Sequence, residues 1–183
     1  MTRIFDILFS FLGLVLLSPI LIVLMIIGYF DTGSPIFEQV RVGKDKQLFK
    51  LFKFRSMHVN APSVATHLSN PLSITPFGSL LRKSKFDELP QLWNVFVGDM
   101  SLVGPRPNLV NQEELIEQRD INDVYSVRPG ITGLAQINKI DMSTPKLLAE
   151  TDSKMIKKFN TVFYFKCIII TIFGQSYRDS LRI

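Results

Sequence analysis

Residues 7–30 read ILFSFLGLVLLSPILIVLMIIGYF, 24 consecutive uncharged residues between Asp6 and Asp31. A helix needs about 20 apolar residues to cross a hydrocarbon core of roughly 30 Å, so this stretch is long enough to enter or span a bilayer. It exceeds the apolar core of a signal peptide, and Asp31-Thr32-Gly33-Ser34-Pro35 follows where a small-residue cleavage site would stand. Ser18-Pro19 lies at its centre. Proline removes one helical hydrogen bond and presses on the carbonyl of Val15, so a kink is expected, with the serine hydroxyl a nearby partner for the freed group. Arg3 precedes the segment, and Arg41, Lys44, Lys46, Lys50, Lys53 and Arg55 follow it. Positive charge on both flanks suits two cytoplasmic ends, yet a single leading arginine does not decide between a kinked spanning helix and a re-entrant one.

The chain around this segment has 183 residues, the length of one domain, with 46% hydrophobic and 20% charged residues. Its 21 Lys and Arg against 16 Asp and Glu leave a formal charge of +5, which suits an anionic partner: a membrane surface, a nucleic acid or a phosphorylated substrate. A single cysteine, Cys167, excludes an internal disulfide and a Cys-rich zinc site, and His58 and His67 are too few for a His-based metal centre. That usage fits a reducing, cytoplasm-facing setting. The absence of a Gly-rich Walker or dinucleotide loop argues against an ordinary P-loop NTPase or Rossmann enzyme.

Residues 36–42 and 48–55 alternate imperfectly around 43–46 and read as a short β-hairpin. Its basic and aromatic mixture follows a membrane segment, so it is assigned to headgroups or a phosphate substrate and not to nucleic acid. Residues 60–76 read as a loop. Helices are expected over 77–85, from Pro90 as first helical residue to a stop at Gly98, over 111–120 as an exposed polar helix, and over 155–173 as an interfacial helix.

The densest polar cluster runs from Leu81 to Leu92. Asp87 and Glu88 stand just before an expected helix start, where acidic residues often serve only as caps. Arg82, Lys83 and Lys85 surround them with charge that can hold phosphate, and a carboxylate there can stay ionised to attack phosphorus or hold a divalent metal. Arg106, between two prolines in residues 98–107, and Arg128, beside proline and ahead of glycines in 128–136, are further oxyanion donors. Separated arginines, a carboxylate pair and no general-base histidine point to phosphoryl chemistry before acyl transfer.

Ser34-Pro35-Ile36-Phe37, Lys53-Phe54-Arg55-Ser56-Met57, Asp87-Glu88-Leu89-Pro90-Gln91-Leu92, Gly98 to Pro107 and Arg128 to Gln136 occur in an order that resembles the bacterial sugar transferase family, the monotopic phosphoglycosyl transferases. The likeness runs from the membrane segment to the C-terminal helix and is to the small members built of the catalytic domain alone. It implies transfer of a phospho-sugar from a UDP-sugar to undecaprenyl phosphate, a polyprenyl phosphate, with release of UMP. It implies Asp87 as nucleophile on the β-phosphorus with Mg2+ assisting, Asp87 also being its ligand. Glu88 is implied as the second catalytic member, and Lys53, Arg82, Arg106 and Arg128 as substrate-binding positions. Ser18-Pro19 is similar to the break of a re-entrant helix. Lys85 stands where the family has a small residue, and Leu134 where it commonly has Trp.

The expectation is therefore an α+β enzyme with a re-entrant membrane helix over 1–30 and a cytoplasm-facing catalytic domain over 31–183. It places the chain on the bacterial inner membrane, with membrane lipids as partners, no nucleic acid, and a homodimer left open. One rival has the lipid phosphate attack directly while Asp87 and Glu88 only bind metal. Another is a membrane-anchored nucleotide-binding scaffold without turnover.

Overall fold

The computed structural model describes residues 2–61 and 71–173. The apolar stretch forms a single helix, α1, over Thr2–Thr32, two residues past the expected boundary. It is the one helix among the described residues long and apolar enough to cross a membrane. α1 continues through Pro19, and Ser18 Oγ donates to the Val15 carbonyl at 2.7 Å, supplying the partner the proline takes away. It stops at Gly33, whose φ of +73° is open to glycine at no steric cost and whose N–H donates to Tyr29 O at 2.8 Å.

α1 buries only a narrow stripe of Asp6, Ser10, Leu24 and Gly28, while side chains such as Leu16 and Phe30 are 73% and 83% exposed. Both of its ends are fastened to the rest of the chain. Near the start, Arg3 donates to Val95 O at 2.6 Å and Phe96 O at 2.9 Å. Buried Asp6 Oδ1 accepts from Ser101 Oγ at 3.0 Å, Leu102 N at 2.9 Å and Tyr164 OH at 2.8 Å. Near the finish, Leu24 packs with Phe54 and Leu81, and Asp31 Oδ2 accepts from Thr75 Oγ1 at 2.7 Å.

The expected hairpin is present: β1, Ile36–Val42, pairs antiparallel with β2, Leu48–Phe54, from Ile36 opposite Phe54 to Val42 opposite Leu48. Helix α2, Pro76–Ser84, starts at Thr75, whose hydroxyl accepts from Gly78 N at 2.8 Å. Helix α3, Gln91–Val97, has Pro90 at its N-cap, one position earlier than the sequence suggested, and ends at Gly98 as expected. Fully buried Asn94 of α3 accepts from Phe52 N at 3.0 Å and donates to Lys50 O at 2.7 Å, covering the edge of β2 as another strand would.

Residues 98–107 and 128–136 are more than loops. Strands β3, Ser101–Val103, and β5, Gly130–Thr132, form a parallel pair, and β4, Asn108–Leu109, adds to β1 to give the order β2-β1-β4. Three-residue strands carry too little alternation to read from sequence. Helix α4, Glu113–Ile121, is not exposed throughout, since it buries Leu115 and Arg119. A short helix α5, Leu134–Ile137, follows β5.

The single helix expected over 155–173 is two, α6 over Pro145–Lys157 and α7 over Thr161–Phe173. Asn160 separates them by accepting from Phe163 N at 2.8 Å through its side chain and from Tyr164 N at 2.9 Å through its carbonyl. α7 is in part a core helix as well as an exposed apolar one: Phe163, Tyr164, Cys167 and Ile170 are buried, and Val162, Ile172 and Phe173 are exposed. Of the loop expected over 60–76, residues 62–70 lie outside the described residues, as do residues 174–183.

Candidate active site

Three elements converge on one acidic pair. Asp87 and Glu88 occupy a short 3-10 turn, Phe86–Glu88, between α2 and α3. Lys85 makes the corner at φ +59°, a left-handed conformation that Gly, Asn and Asp tolerate best. β2 supplies Lys53 and the segment after β3 supplies Arg106.

Glu88 is pinned between them: its Oε1 accepts from Lys53 Nζ at 3.1 Å and from Arg106 at 2.9 Å. Burial alone would raise its pKa, but Arg106 and Lys53 outweigh burial and hold the carboxyl down at about 2. Lys53 is lowered from the ordinary lysine value by burial and by the like charge of Arg106, with Glu88 and Asp87 pulling the other way. Asp87, by contrast, makes no hydrogen bond or ion pair among the described residues, and burial raises its pKa against the attraction of Lys53. Glu88 adds to that rise, while Arg82 and Arg106 oppose it.

Of the positions singled out in sequence, Asp87, Glu88, Lys53, Arg82 and Arg106 are therefore brought together. Arg82 is aimed by its Nε–H bond to Ser56 Oγ at 2.8 Å, and α2 can approach Ser56 because residue 78 is glycine. A Cβ there would lie 2.0 Å from Ser56 O. Arg128 sits differently: its Nε donates to Gly98 O at 2.8 Å, and it is not among the leading charges on Asp87 or Glu88. Leu134 is buried in the cluster around Val103 and Met155, a packing role.

Sequence reasoning missed the groups behind this front. Arg119 and Asp152 form a buried ion pair at 2.7 Å, and Arg119 also donates to Arg106 O at 2.8 Å and Asn108 Oδ1 at 2.9 Å. Arg106 is thus oriented from behind by a guanidinium on α4. An arginine inside a polar stretch carries no sign of burial, so the signal was absent. Arg41 on β1 and Gln91 at the start of α3 are also buried, and Arg41 is pushed down to about 10 by burial and by the charge of Arg106. Arg41 Nε and Gln91 Nε2 have no partner among the described residues, a situation that costs about 1–3 kcal/mol for a buried donor.

For a divalent cation the donor set is one free carboxylate. No group of three His, Cys, Asp or Glu side chains among the described residues could enclose a metal. Magnesium does not require such a cage, because it is commonly held by one or two carboxylates together with substrate phosphates and waters. Asp87 fits that use, and Glu88, already shared by two cations, does not.

Known proteins similar to this chain carry sugar-transferase names. The UDP-glucose:undecaprenyl-phosphate glucose-1-phosphate transferase of Klebsiella pneumoniae is 40% identical, covering 93% of this chain and 39% of its own. The protein of the same name from Escherichia coli (strain K12) is 37% identical over 92% of this chain and 38% of its own. The chain thus spans about two fifths of the length of these relatives. An uncharacterized sugar transferase, EpsL, of Bacillus subtilis (strain 168) is 35% identical over 93% of this chain and 84% of its own. Since the bacterial sugar transferase model matches residues 1–176, taking in α1, the acidic pair and every cation around it, the chain belongs to the bacterial sugar transferase family.

Proposed function

We propose that this chain is a phosphoglycosyl transferase that moves a phospho-sugar from a UDP-sugar to undecaprenyl phosphate through a covalent intermediate on Asp87. The observation that carries this reading is the division of labour in the acidic pair: Glu88 is neutralised by Lys53 and Arg106, while Asp87 is left unpaired beside the same cations. A carboxylate spent in ion pairs is a poor nucleophile, and a half-buried unpaired one is a good one. In the first step an Asp87 oxygen forms a bond to the β-phosphorus. The bond to the oxygen bridging to the α-phosphate breaks, and UMP leaves with that electron pair. In the second step an oxygen of the lipid phosphate attacks the same phosphorus, and the Asp87–phosphorus bond breaks.

Lys53, Arg82 and Arg106 offset the repulsion between a carboxylate and a diphosphate and stabilise charge on the leaving phosphate. Mg2+, held by Asp87, would add further charge neutralisation at the diphosphate. The relatives named for UDP-glucose and undecaprenyl phosphate support this substrate class.

The acceptor, whose phosphate lies at headgroup level, calls for membrane residence, and the basic flanks of α1 favour the cytoplasmic face of the inner membrane. In this reading α1 enters one leaflet and returns. Supporting it are the fastenings of both α1 ends to the same protein body, through Asp6 and through Asp31, with exposed apolar side chains between.

The test is to mix enzyme, Mg2+ and UDP-sugars without lipid. Stoichiometric UMP and a peptide containing Asp87 heavier by one phospho-sugar are expected, and Asp87→Asn lowers turnover by orders of magnitude. UMP that appears only once undecaprenyl phosphate is added, together with an active Asp87→Asn, would replace this reading by direct attack of the lipid. A chain that releases no UMP under either condition would be a scaffold.

A further inference from the structure

Next to the acidic pair lies a cavity of about 10 Å³, room for roughly one water-sized atom. Arg41, Lys53, Gln91 and Arg106 line it together with Leu51, Pro107 and Gly130. Arg41 is 8% exposed and Gln91 3%, and each has a side-chain nitrogen without a partner, the Nε–H in the first and the Nε2 amide group in the second. The other end of the Arg41 guanidinium is occupied, donating to Pro107 O at 3.1 Å and to the side chain of Gln39. That leaves its Nε–H edge fixed in place and unused. No carboxylate lines the cavity, so its wall presents donors and positive charge.

We infer that Arg41 and Gln91 complete, with Lys53 and Arg106, an oxyanion pocket that receives one non-bridging oxygen of a substrate phosphate. The volume admits an oxygen and not a whole phosphate group. The phosphorus therefore stays outside the pocket, in the field of the two cations that also act on Asp87. Buried N–H donors held before the substrate arrives need no reorganisation as charge grows on a phosphoryl oxygen, and that is where such donors act most strongly. An anion there also relieves the like-charge contact between Arg41 and Arg106 that, with burial, depresses the Arg41 pKa. The inference deepens the phosphoryl-transfer reading and rests on it for the identity of the ligand. The phosphate belongs either to the nucleotide or to the lipid acceptor.

Equilibrium binding to the full chain in nanodiscs tests the pocket without relying on turnover. The titrants are inorganic phosphate, UMP and a short-chain prenyl monophosphate. Gln91→Glu keeps the shape and replaces an N–H donor by a negative charge, and Gln91→Leu removes the donor alone. Wild-type protein should bind phosphate, Gln91→Leu should weaken it several-fold, and Gln91→Glu should weaken it tenfold or more. A loss of UMP affinity assigns the oxygen to the nucleotide, and a loss of prenyl phosphate affinity assigns it to the acceptor. The inference is overturned if wild-type protein binds none of the three, or if whichever Gln91 variant folds, judged by its melting profile, binds all three as wild type does. Phosphate binding that depends on Gln91 in a protein that turns over no UDP-sugar would uphold the pocket while sinking the proposed reaction. UMP release from UDP-sugar with binding indifferent to Gln91 would do the reverse.

Discussion

Two adjacent carboxylates in one turn differ because of what faces them. Glu88 meets Lys53 and Arg106 and titrates at about 2, whereas Asp87 meets no direct partner and burial raises it. The acid limb of kcat/KM should therefore report Asp87 and lie above the ordinary aspartate value, while Glu88 stays ionised throughout the working range. Glu88→Gln removes a negative charge that raises Asp87 and frees two cations that lower it. The acid limb should move to lower pH, and a kcat/KM profile of the variant measures the shift; movement to higher pH contradicts the assignment. The same ion pairs set a stability term. A carboxylate with a folded pKa of about 2 against 4.5 unfolded contributes stability that is full above about 4.5 and lost as pH falls towards 2. At neutral pH Glu88→Gln should lower stability by roughly 3 kcal/mol, and the gap to wild type should close in acid, as unfolding at several pH values would reveal.

At the scale of elements, the parallel pair β3 and β5 holds Arg106 in place, and it depends on glycine. A Cβ at Gly130 would lie 2.0 Å from Gly104 N and 2.6 Å from Gly104 Cα, backbone atoms that cannot rotate away. Gly130→Ala should therefore cost about 3 kcal/mol or more and reduce activity with it, because β3 leads directly into Pro105-Arg106-Pro107. Gly33→Ala is the contrast: nothing lies within 4 Å of a Cβ there, so only the positive φ is penalised, at about 1 kcal/mol. Thermal melts of the two variants should differ accordingly. These elements also mark how far the sequence could be read. The hairpin was legible because seven-residue strands carry alternation, and α3 because Gly98 ends it. The pairing of β3 with β5 was not, since close approach of two glycine backbones leaves no periodic trace. The break before α7 was readable in principle, because Asn160-Thr161 ahead of an apolar run is a capping signal, but the run of apolar residues on either side obscured it. Charge and motif order singled out Asp87, Glu88, Lys53, Arg82 and Arg106, which the fold gathers into one cluster. Arg41, Gln91 and Arg119 escaped because only the fold buries them.

For the whole molecule the proposed re-entrant course of α1 rests on one body holding both ends of a 31-residue helix. Such a helix is roughly 46 Å long, enough to cross a bilayer. If it crossed, Asp6 with its three hydrogen bonds and Asp31 with its bond to Thr75 would lie on opposite sides, and the body that binds both would be drawn through hydrocarbon with them. Burying the polar faces of α2 and the hairpin in lipid would cost several kcal/mol for each unpaired group. The proposed dip into one leaflet avoids this. It leaves the exposed side chains of α1 in the acyl region, beside α3, linked to it through the Phe11–Phe96 ring contact at 6.0 Å, and α7, linked through Phe9–Phe165 at 6.1 Å. Thr2→Cys and Ser34→Cys, introduced singly, should then react with a membrane-impermeant thiol reagent from the same side of oriented vesicles, native Cys167 being buried and silent. Labelling from opposite sides would mean that the helix spans. Pro19→Leu restores an N–H to the ladder and removes the need for Ser18 to satisfy Val15, so it should shift a fraction of molecules towards opposite-side labelling. Because spanning would tear Asp6 or Asp31 from its partners, that fraction should also lose activity, and the two losses should track each other across the vesicle population.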